Sequence, residues 1–449
     1  MAHLLMIESW VGGTGRIFPP AIGRLGHRYT FVTRNRGHYR DARSQEIHPV
    51  IDHADHVLTA ETNDVPALIE FLRAQHAILQ FDGVVTICDY YIDTVAQVAQ
   101  ALGLPQAFSA NVVMERRKDR VREAIERAGL PNPKFAVTRS WDETRSEAQR
   151  IGYPLIVKPT DLASSAFVRL IHDEEELCAA FDALEQFPRN FREQERVPLL
   201  LLEEYLRGEE FSVEASTYRG RTTVIGITDK SLTGFPYFIE DGHMFPARLD
   251  PADAAAIEAL VLGALEAVGH DHGISHTEVK LTADGPRVVE INPRPGGNYI
   301  AELIERVTGI DLLDAQIELA LGREPDLRRR DTGVFSAAIK FLVPPRGGYV
   351  LAMDGAASLE ADSNIERWSL SAVAGSEVAA PIDNACYLGH VIAVDRVGGQ
   401  ARTYAERALA EVSLRYADTG AGPDADADDR DAARTRAAAE PVATVMTAA

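Results

Sequence analysis

From His276 to Arg294 the chain alternates apolar and polar residues on both sides of an Asp284-Gly285 turn, the pattern of a β-hairpin. Glu290 and Asn292 lie two apart and so share one face of their strand. With a three-residue loop, Ala283 to Gly285, Glu278 falls opposite Glu290, whereas a two-residue loop throws Glu278 onto the other face. Two carboxylates and an amide oxygen converging beside Arg294 suit a hard divalent cation that also touches phosphate. The plain alternative is a solvated acidic hairpin, and the rest of the chain must decide.

At 449 residues the chain exceeds one core and suggests about three domains. A net charge of -21 argues against nucleic acid, whose phosphates would repel it. Cys88, Cys178 and Cys386 are scattered and offer neither a disulfide framework nor metal-ligand spacing. Met1 to Glu8 reads as a buried first strand rather than a signal peptide, because no basic region precedes its apolar run. No apolar run approaches the roughly 20 residues needed to span a bilayer. The expectation is a cytoplasmic protein with no nucleic-acid or membrane partner.

Strands at Leu4–Ile7, Tyr29–Thr33 and Gly83–Ile87 alternate with helical stretches, so residues 1–112 predict an open parallel α/β domain. Gly12, Gly13 and Gly15 follow the first strand, but the third glycine of a dinucleotide fingerprint is missing. A tight turn opening a substrate cleft is the better reading. Residues 113–200 predict a small α+β lid: a helix from Lys118 to Ala128, strands near Phe135, Leu155–Lys158 and Phe167–Ile171, and a small-residue loop at Ser164-Ser165. Residues 201–330 predict a larger antiparallel sheet holding the hairpin, and 331–416 a further mixed α+β segment. Residues 417–449, rich in Ala and Asp, are expected to be disordered.

Lys158 ends an apolar strand, where its charge meets phosphate while Ser164 and Ser165 let backbone N–H groups approach phosphate oxygens. Lys118, heading its helix, is a second phosphate contact or one solvated lysine among Arg116, Arg117 and Arg120. Glu203 to Leu206 reads as an extended linker whose backbone pairs with a base edge, with Glu210 near ribose hydroxyls; simple solvation is the competing reading for these acids.

In this order Lys118, Pro154–Pro159, Glu203-Glu204-Tyr205-Leu206, Gly208–Phe211 and Glu278…Glu290-Ile291-Asn292-Pro293-Arg294 resemble the ATP-grasp fold, in register from about residue 1 to 330. Lys158–Ser165 and His276–Leu281 look like the bacterial L-amino-acid ligases of the bacilysin-synthetase type, which join two amino acids with ATP. The resemblance implies that Lys118 and Lys158 bind phosphates, Glu203 and the Leu206 backbone adenine, and Glu210 the ribose. It implies Mg²⁺, with Mn²⁺ able to substitute, on Glu278, Glu290 and Asn292, although the dipeptide ligases carry a small residue at the last position. Arg294 matches the arginine that steadies an acyl phosphate, Glu240 and His243 a Glu-x-x-His pair lining the amino-acid site, and Asp89 an acid for a substrate amino group. Gly296 and Gly297 suit a close backbone approach, and Asn298 stands where a bulky residue restricts substrate size, which implies a roomier pocket. As an N-cap ahead of Tyr299, Asn298 would instead be purely structural.

The implied activity is amide formation through an acyl phosphate, releasing ADP and phosphate, of the kind used for dipeptides in secondary metabolism. Its partners are a small-molecule carboxylate and an amine, and a homodimer is left open. Competing readings are a purine-pathway or bicarbonate-using ATP-grasp ligase, a non-catalytic ATP-binding module, and an NAD-dependent oxidoreductase that the missing glycine disfavours.

Overall fold

The computed structural model describes residues 1–40, 46–371 and 373–417; the expected disordered tail lies, from residue 418 onward, outside them. Four parallel strands open the chain: β1 (His3–Ile7), β2 (Arg28–Thr33), β3 (His56–Thr59) and β4 (Gly83–Val85), in the order β3-β2-β1-β4. Leu4, Leu5, Met6 and Ile7 are all fully buried, as a strand covered on both faces requires. The strand order reverses between β1 and β4, and the crevice beyond their C-terminal ends is where open α/β sheets take ligands. The glycine turn shapes that crevice. A Cβ at Gly15 would stand 1.8 Å from the Trp10 carbonyl oxygen, so the first helix (Thr14–Arg24) can pass so close only with glycine there.

The lid is an antiparallel sheet of β5 (Phe135–Thr138), β6 (Leu155–Pro159), β7 (Arg169–Ile171) and β8 (Leu200–Glu204), in the order β5-β8-β6-β7. Helices Trp141–Ile151 and Glu174–Glu185 cover its core; the second, absent from the sequence reading, is capped by Asp173 and opens on three glutamates. Glu203 and Glu204 belong to β8, so the extended linker begins only at Tyr205.

β9 (Glu209–Tyr218), β10 (Arg221–Thr233), β11 (Ile239–Phe245), β12 (Gly273–Thr282) and β13 (Gly285–Asn292) build the large antiparallel sheet. The segment after 331 supplies β14 (Ser336–Phe341), β15 (Gly348–Asp354), β16 (Ile365–Leu370), β17 (Ser376–Val378), β18 (Gly389–Asp395) and β19 (Ser413–Tyr416). It extends the large sheet: β14 pairs with β11, giving eight strands in the order β13-β12-β9-β10-β11-β14-β18-β16. Only β17-β15-β19 stand apart as a small sheet.

On β9, Phe211, Val213 and Ala215 face a core completed by Val279, Val288, Ile291 and the helices Lys118–Arg127 and Pro251–Val268. The alternate residues Glu210, Ser212, Glu214 and Ser216 are also buried, on the opposite face. A strand buried on both faces but apolar on only one marks a site. No helix among the described residues is long and apolar enough to cross a membrane.

Candidate active site

The hairpin reaches its geometry by a route the sequence reading did not foresee. Thr282 faces Gly285, so the loop is the two residues Ala283-Asp284, and Val279 faces Val288. Continued unbroken, that register would set Glu278 against Val289. Instead the ladder shifts at Val289, and Glu278 pairs with Glu290, Thr277 with Ile291, and His276 with Asn292. A β-bulge, not a three-residue loop, brings the two carboxylates face to face. The carbonyls at the bulge are used: Arg122 donates to Val288 O at 2.8 Å and Val289 O at 2.9 Å, and Lys158 donates to Val289 O at 3.3 Å.

Around this pair the buried face is a lattice of charges. Lys230 on β10 lies opposite Glu210 in register, 3.2 Å from it, 3.2 Å from Glu240 and 2.8 Å from Glu278. Burial opposes its charge, yet the three glutamates hold its pKa well above the usual lysine value. Burial likewise opposes the charges of Glu240 and Glu278; Lys230, with His243 and His276 respectively, holds both carboxylates well below their usual range. His276 is 2.6 Å from Glu214 and 3.3 Å from Glu278, and against burial these lift it to about 9. Lys118 meets Glu290 at 2.9 Å and donates to Leu162 O at 2.7 Å.

Lys158 and Arg122 both hold the Glu203 carboxylate, at 2.8 and 2.5 Å. Burial would raise that acid, but the two cations bring it down to about 2, while burial lowers Lys158 itself. The Glu203 side chain therefore orients Lys158, and the edge of an adenine would be left to the backbone around Leu206.

These side chains line one cleft between lid and large sheet, floored by Glu278 and Glu290 and walled by Ile156, Val168, Leu206, Leu232 and Phe238. Ser165 lines it and Ser164 does not, but both hold positive φ, 55° and 60°, in the loop that contributes Leu162, Ser165 and Ala166 to the cleft wall. Glu210 also lines the cleft, tied to Lys230 and Lys280.

The remaining expected residues gather at the far end. Asn298 donates to Glu240 at 2.7 Å, and its φ of 49°, followed by 65° at Tyr299, makes Tyr299 the cap of the next helix (Ile300–Thr308). The N-cap reading of Asn298 is thus set aside. Arg294 donates to Asp89 at 2.7 Å, and Trp10 donates to the other Asp89 oxygen at 3.1 Å. Burial opposes the Asp89 charge, but Arg294 keeps it below the usual range. Gly297 lies beside Arg294, and at Gly296 a Cβ would stand 3.1 Å from His276 and Ile300. His243 is fully buried in the sheet against Phe341, opposite Lys230 in register and 3.3 Å from Glu240, so it meets the site from within the sheet.

Sequence reasoning missed Lys230, Arg122 and the C-terminal clasp on Glu240, whose N–H donates to Asn384 and whose carbonyl accepts from Tyr387 at 2.6 Å. None of the three left a local signal: Lys230 joins the face that carries Glu210 only through the sheet register. Among the described residues no group of three or more His, Cys, Asp or Glu forms a metal cage. The opposed Glu278 and Glu290 with the Asn292 amide nevertheless fit a hard cation that draws its other ligands from phosphate and water.

Family models match in three places: an ATP-grasp N-terminal domain at 21–106, an ATP-grasp domain at 151–302 and an L-amino acid ligase C-terminal domain 2 at 340–417. Carnosine synthase 1 of Gallus gallus is 30% identical over 306 residues, 64% of this chain and 33% of that protein. Alanine--anticapsin ligase of Bacillus amyloliquefaciens is 28% identical over 296 residues, 62% of each. The match thus spans less than two thirds of either relative. In fold, the chain resembles the crystal structure of an L-amino acid ligase from Bacillus licheniformis, with a TM-score of 0.75 at 22% identity, covering 93% of this chain and 99% of that one.

Proposed function

Because this chain belongs to the ATP-grasp family, we propose that it is an ADP-forming carbon–nitrogen ligase that joins the carboxylate of one amino acid to the amine of another. The observation that carries the reading is the bulged hairpin, which sets two carboxylates opposite each other in the cleft that Lys118 and Lys158 also line.

In this reading ATP lies with adenine between Ile156, Leu206, Leu232 and Phe238, its ribose toward Glu210 and its phosphates on Lys118, Lys158 and the Ser164-Ser165 loop. Glu278, Glu290 and Asn292 would hold Mg²⁺, which when bound offsets negative charge on the phosphoryl group. The substrate carboxylate oxygen attacks the γ-phosphorus while the bond to ADP breaks, giving an acyl phosphate. Lys158 is positioned by Glu203 to offset charge there, and Arg294, held by Asp89, stands at the acyl end. The amine then attacks the acyl carbon, its nitrogen loses a proton, and phosphate leaves. The lid excludes water that would hydrolyse the acyl phosphate. Glu240, ionised and held by Lys230 and Asn298, fits the binding of a substrate ammonium. A chemistry that draws on ATP and free amino acids suits a cytoplasmic setting.

A screen of amino-acid pairs with ATP and Mg²⁺ tests the proposal, reading ADP release and product mass. Release that requires both substrates, with a product lighter than their sum by one water, is the expected result. ATP turnover indifferent to the amine would sink it.

A further inference from the structure

Five lysines and arginines are buried among the described residues: Lys118, Arg122, Lys158, Arg192 and Lys230. Four are answered by glutamates of the cleft. Arg192 is not. It is 7% exposed, yet no carboxylate among the described residues forms an ion pair with it. One N–H donates to Ser9 O at 2.5 Å, and the guanidinium otherwise lies over the rings of Trp10 and Tyr39, 5.6 and 5.9 Å from their centres. The neighbouring acid, Glu8, accepts from Thr62, Thr33, Tyr39 and the Arg34 N–H, and favours the Arg192 charge only through space, without touching it. A guanidinium has five N–H donors, and among the described residues Ser9 O is the hydrogen-bond acceptor it finds.

The loop that delivers this cation is held in place. Arg192 and Gln194 donate their N–H groups to Asn190 Oδ1, Asn63 donates to Arg192 O at 2.8 Å, and the Gln194 side chain donates to Tyr90 O at 3.0 Å. The lid thereby reaches into the N-terminal domain at the ends of β1 and β4, the crevice where the strand order reverses. Trp10 links Arg192 to the substrate end of the cleft, since its indole N–H donates to Asp89, which holds Arg294.

Resting on the ligase reading, we propose that Arg192 binds a carboxylate that a substrate keeps through the reaction, seated in the crevice beside Trp10 and Tyr39. Two sources share this chemistry: the α-carboxylate of the amine substrate, and a side-chain carboxylate on the acid substrate. No bond to this group forms or breaks; the ligand supplies the direct ion pair that Arg192 lacks among the described residues.

The test uses the full chain and compares each amine substrate with its primary amide, and acid substrates with acidic or neutral side chains, by calorimetric binding and initial rates. In the unaltered protein one arm should show a carboxylate preference of roughly 10- to 100-fold, the worth of a charged hydrogen bond. Arg192→Gln should erase that preference by weakening only the carboxylate-bearing ligand, and Arg192→Lys should restore part of it. Whichever arm responds identifies the source. Absence of preference in both arms of the unaltered protein overturns the proposal, as does an Arg192→Gln variant that weakens acid and amide alike, the mark of a purely structural tether. Failure of amino-acid-dependent ADP release in the unaltered protein sinks the ligase reading instead.

Discussion

Lys230 and Arg192 are both buried, and their surroundings could hardly differ more. Lys230 touches three glutamates on the face of the eight-stranded sheet; Arg192 has a carbonyl and two ring faces at the end of the four-stranded one. In the first region the protein balances its own charge, so the site is rigid before any ligand arrives and a ligand must enter between pairs already made. In the second the cation meets Glu8 only through space, and a ligand of the right sign would pair with it directly.

Stability measurements put that contrast to its hardest test. Lys230→Met would leave Glu210, Glu240 and Glu278 clustered without their shared cation, and should cost about 3–5 kcal/mol in urea denaturation. Arg192→Met breaks no direct ion pair and should cost no more than about 1 kcal/mol. Equal losses at the two positions would erase the distinction. Next in size is Glu290→Gln, which keeps the hairpin but removes a carboxylate from the pair facing Lys118. ADP release at saturating Mg²⁺ should fall by a factor on the order of 10²–10³, with the melting temperature near that of the parent. Near-parent turnover would take this carboxylate out of phosphoryl transfer.

The two regions should also part company with pH. His276 titrates at about 9 in the folded chain against 6.5 when free, so the folded state binds its proton more tightly. Its contribution is complete below pH 6.5 and lost as pH rises through 9, a decline of about 3 kcal/mol that His276→Gln should flatten. Asp89, held below its free value of 3.8, works in the other direction: its contribution is present above that value and lost as acid protonates it. Denaturation across pH 6 to 10 with no difference between parent and His276→Gln would disprove the assignment to the cleft.

What could be read in advance follows from how local each signal was. Alternation around Asp284-Gly285 placed Glu278 and Glu290 on facing strands, because a two-residue period needs only near neighbours. The bulge at Val289 was illegible, since what favours it, Arg122 and Lys158 on its carbonyls, comes from more than a hundred residues away. Lys230 sits between Asp229 and Ser231 and resembles any solvated lysine until the sheet register sets it against Glu210. Arg192 left no local trace at all, for its partner Ser9 is 183 residues distant. The pairing of β14 with β11, which merges the C-terminal segment into the central sheet, is likewise a long-range choice that strand propensity does not encode.

The smallest effect concerns Asn298, which donates to Glu240 and follows Gly297, the neighbour of Arg294. Its φ of 49° is tolerable for Asn and free of strain for Gly, so Asn298→Gly removes the side chain without distorting the backbone. Stability should change by less than about 1 kcal/mol. The lost hydrogen bond to Glu240 should weaken the amino-acid substrate by no more than about tenfold in kcat/KM, since one such bond is worth roughly 1 kcal/mol. If the side chain also borders the substrate R-group, bulky acids will lose less than alanine or glycine, because room is gained as the contact is lost. Asn298→Trp should then reverse the order, penalising bulky acids by roughly 1–3 kcal/mol, with added strain from a large residue at positive φ. The ratio of bulky to small substrates cancels that shared strain and any general loss of folded protein. If the ratio stays fixed across both variants, Asn298 only orients Glu240, and the width of the pocket is set elsewhere.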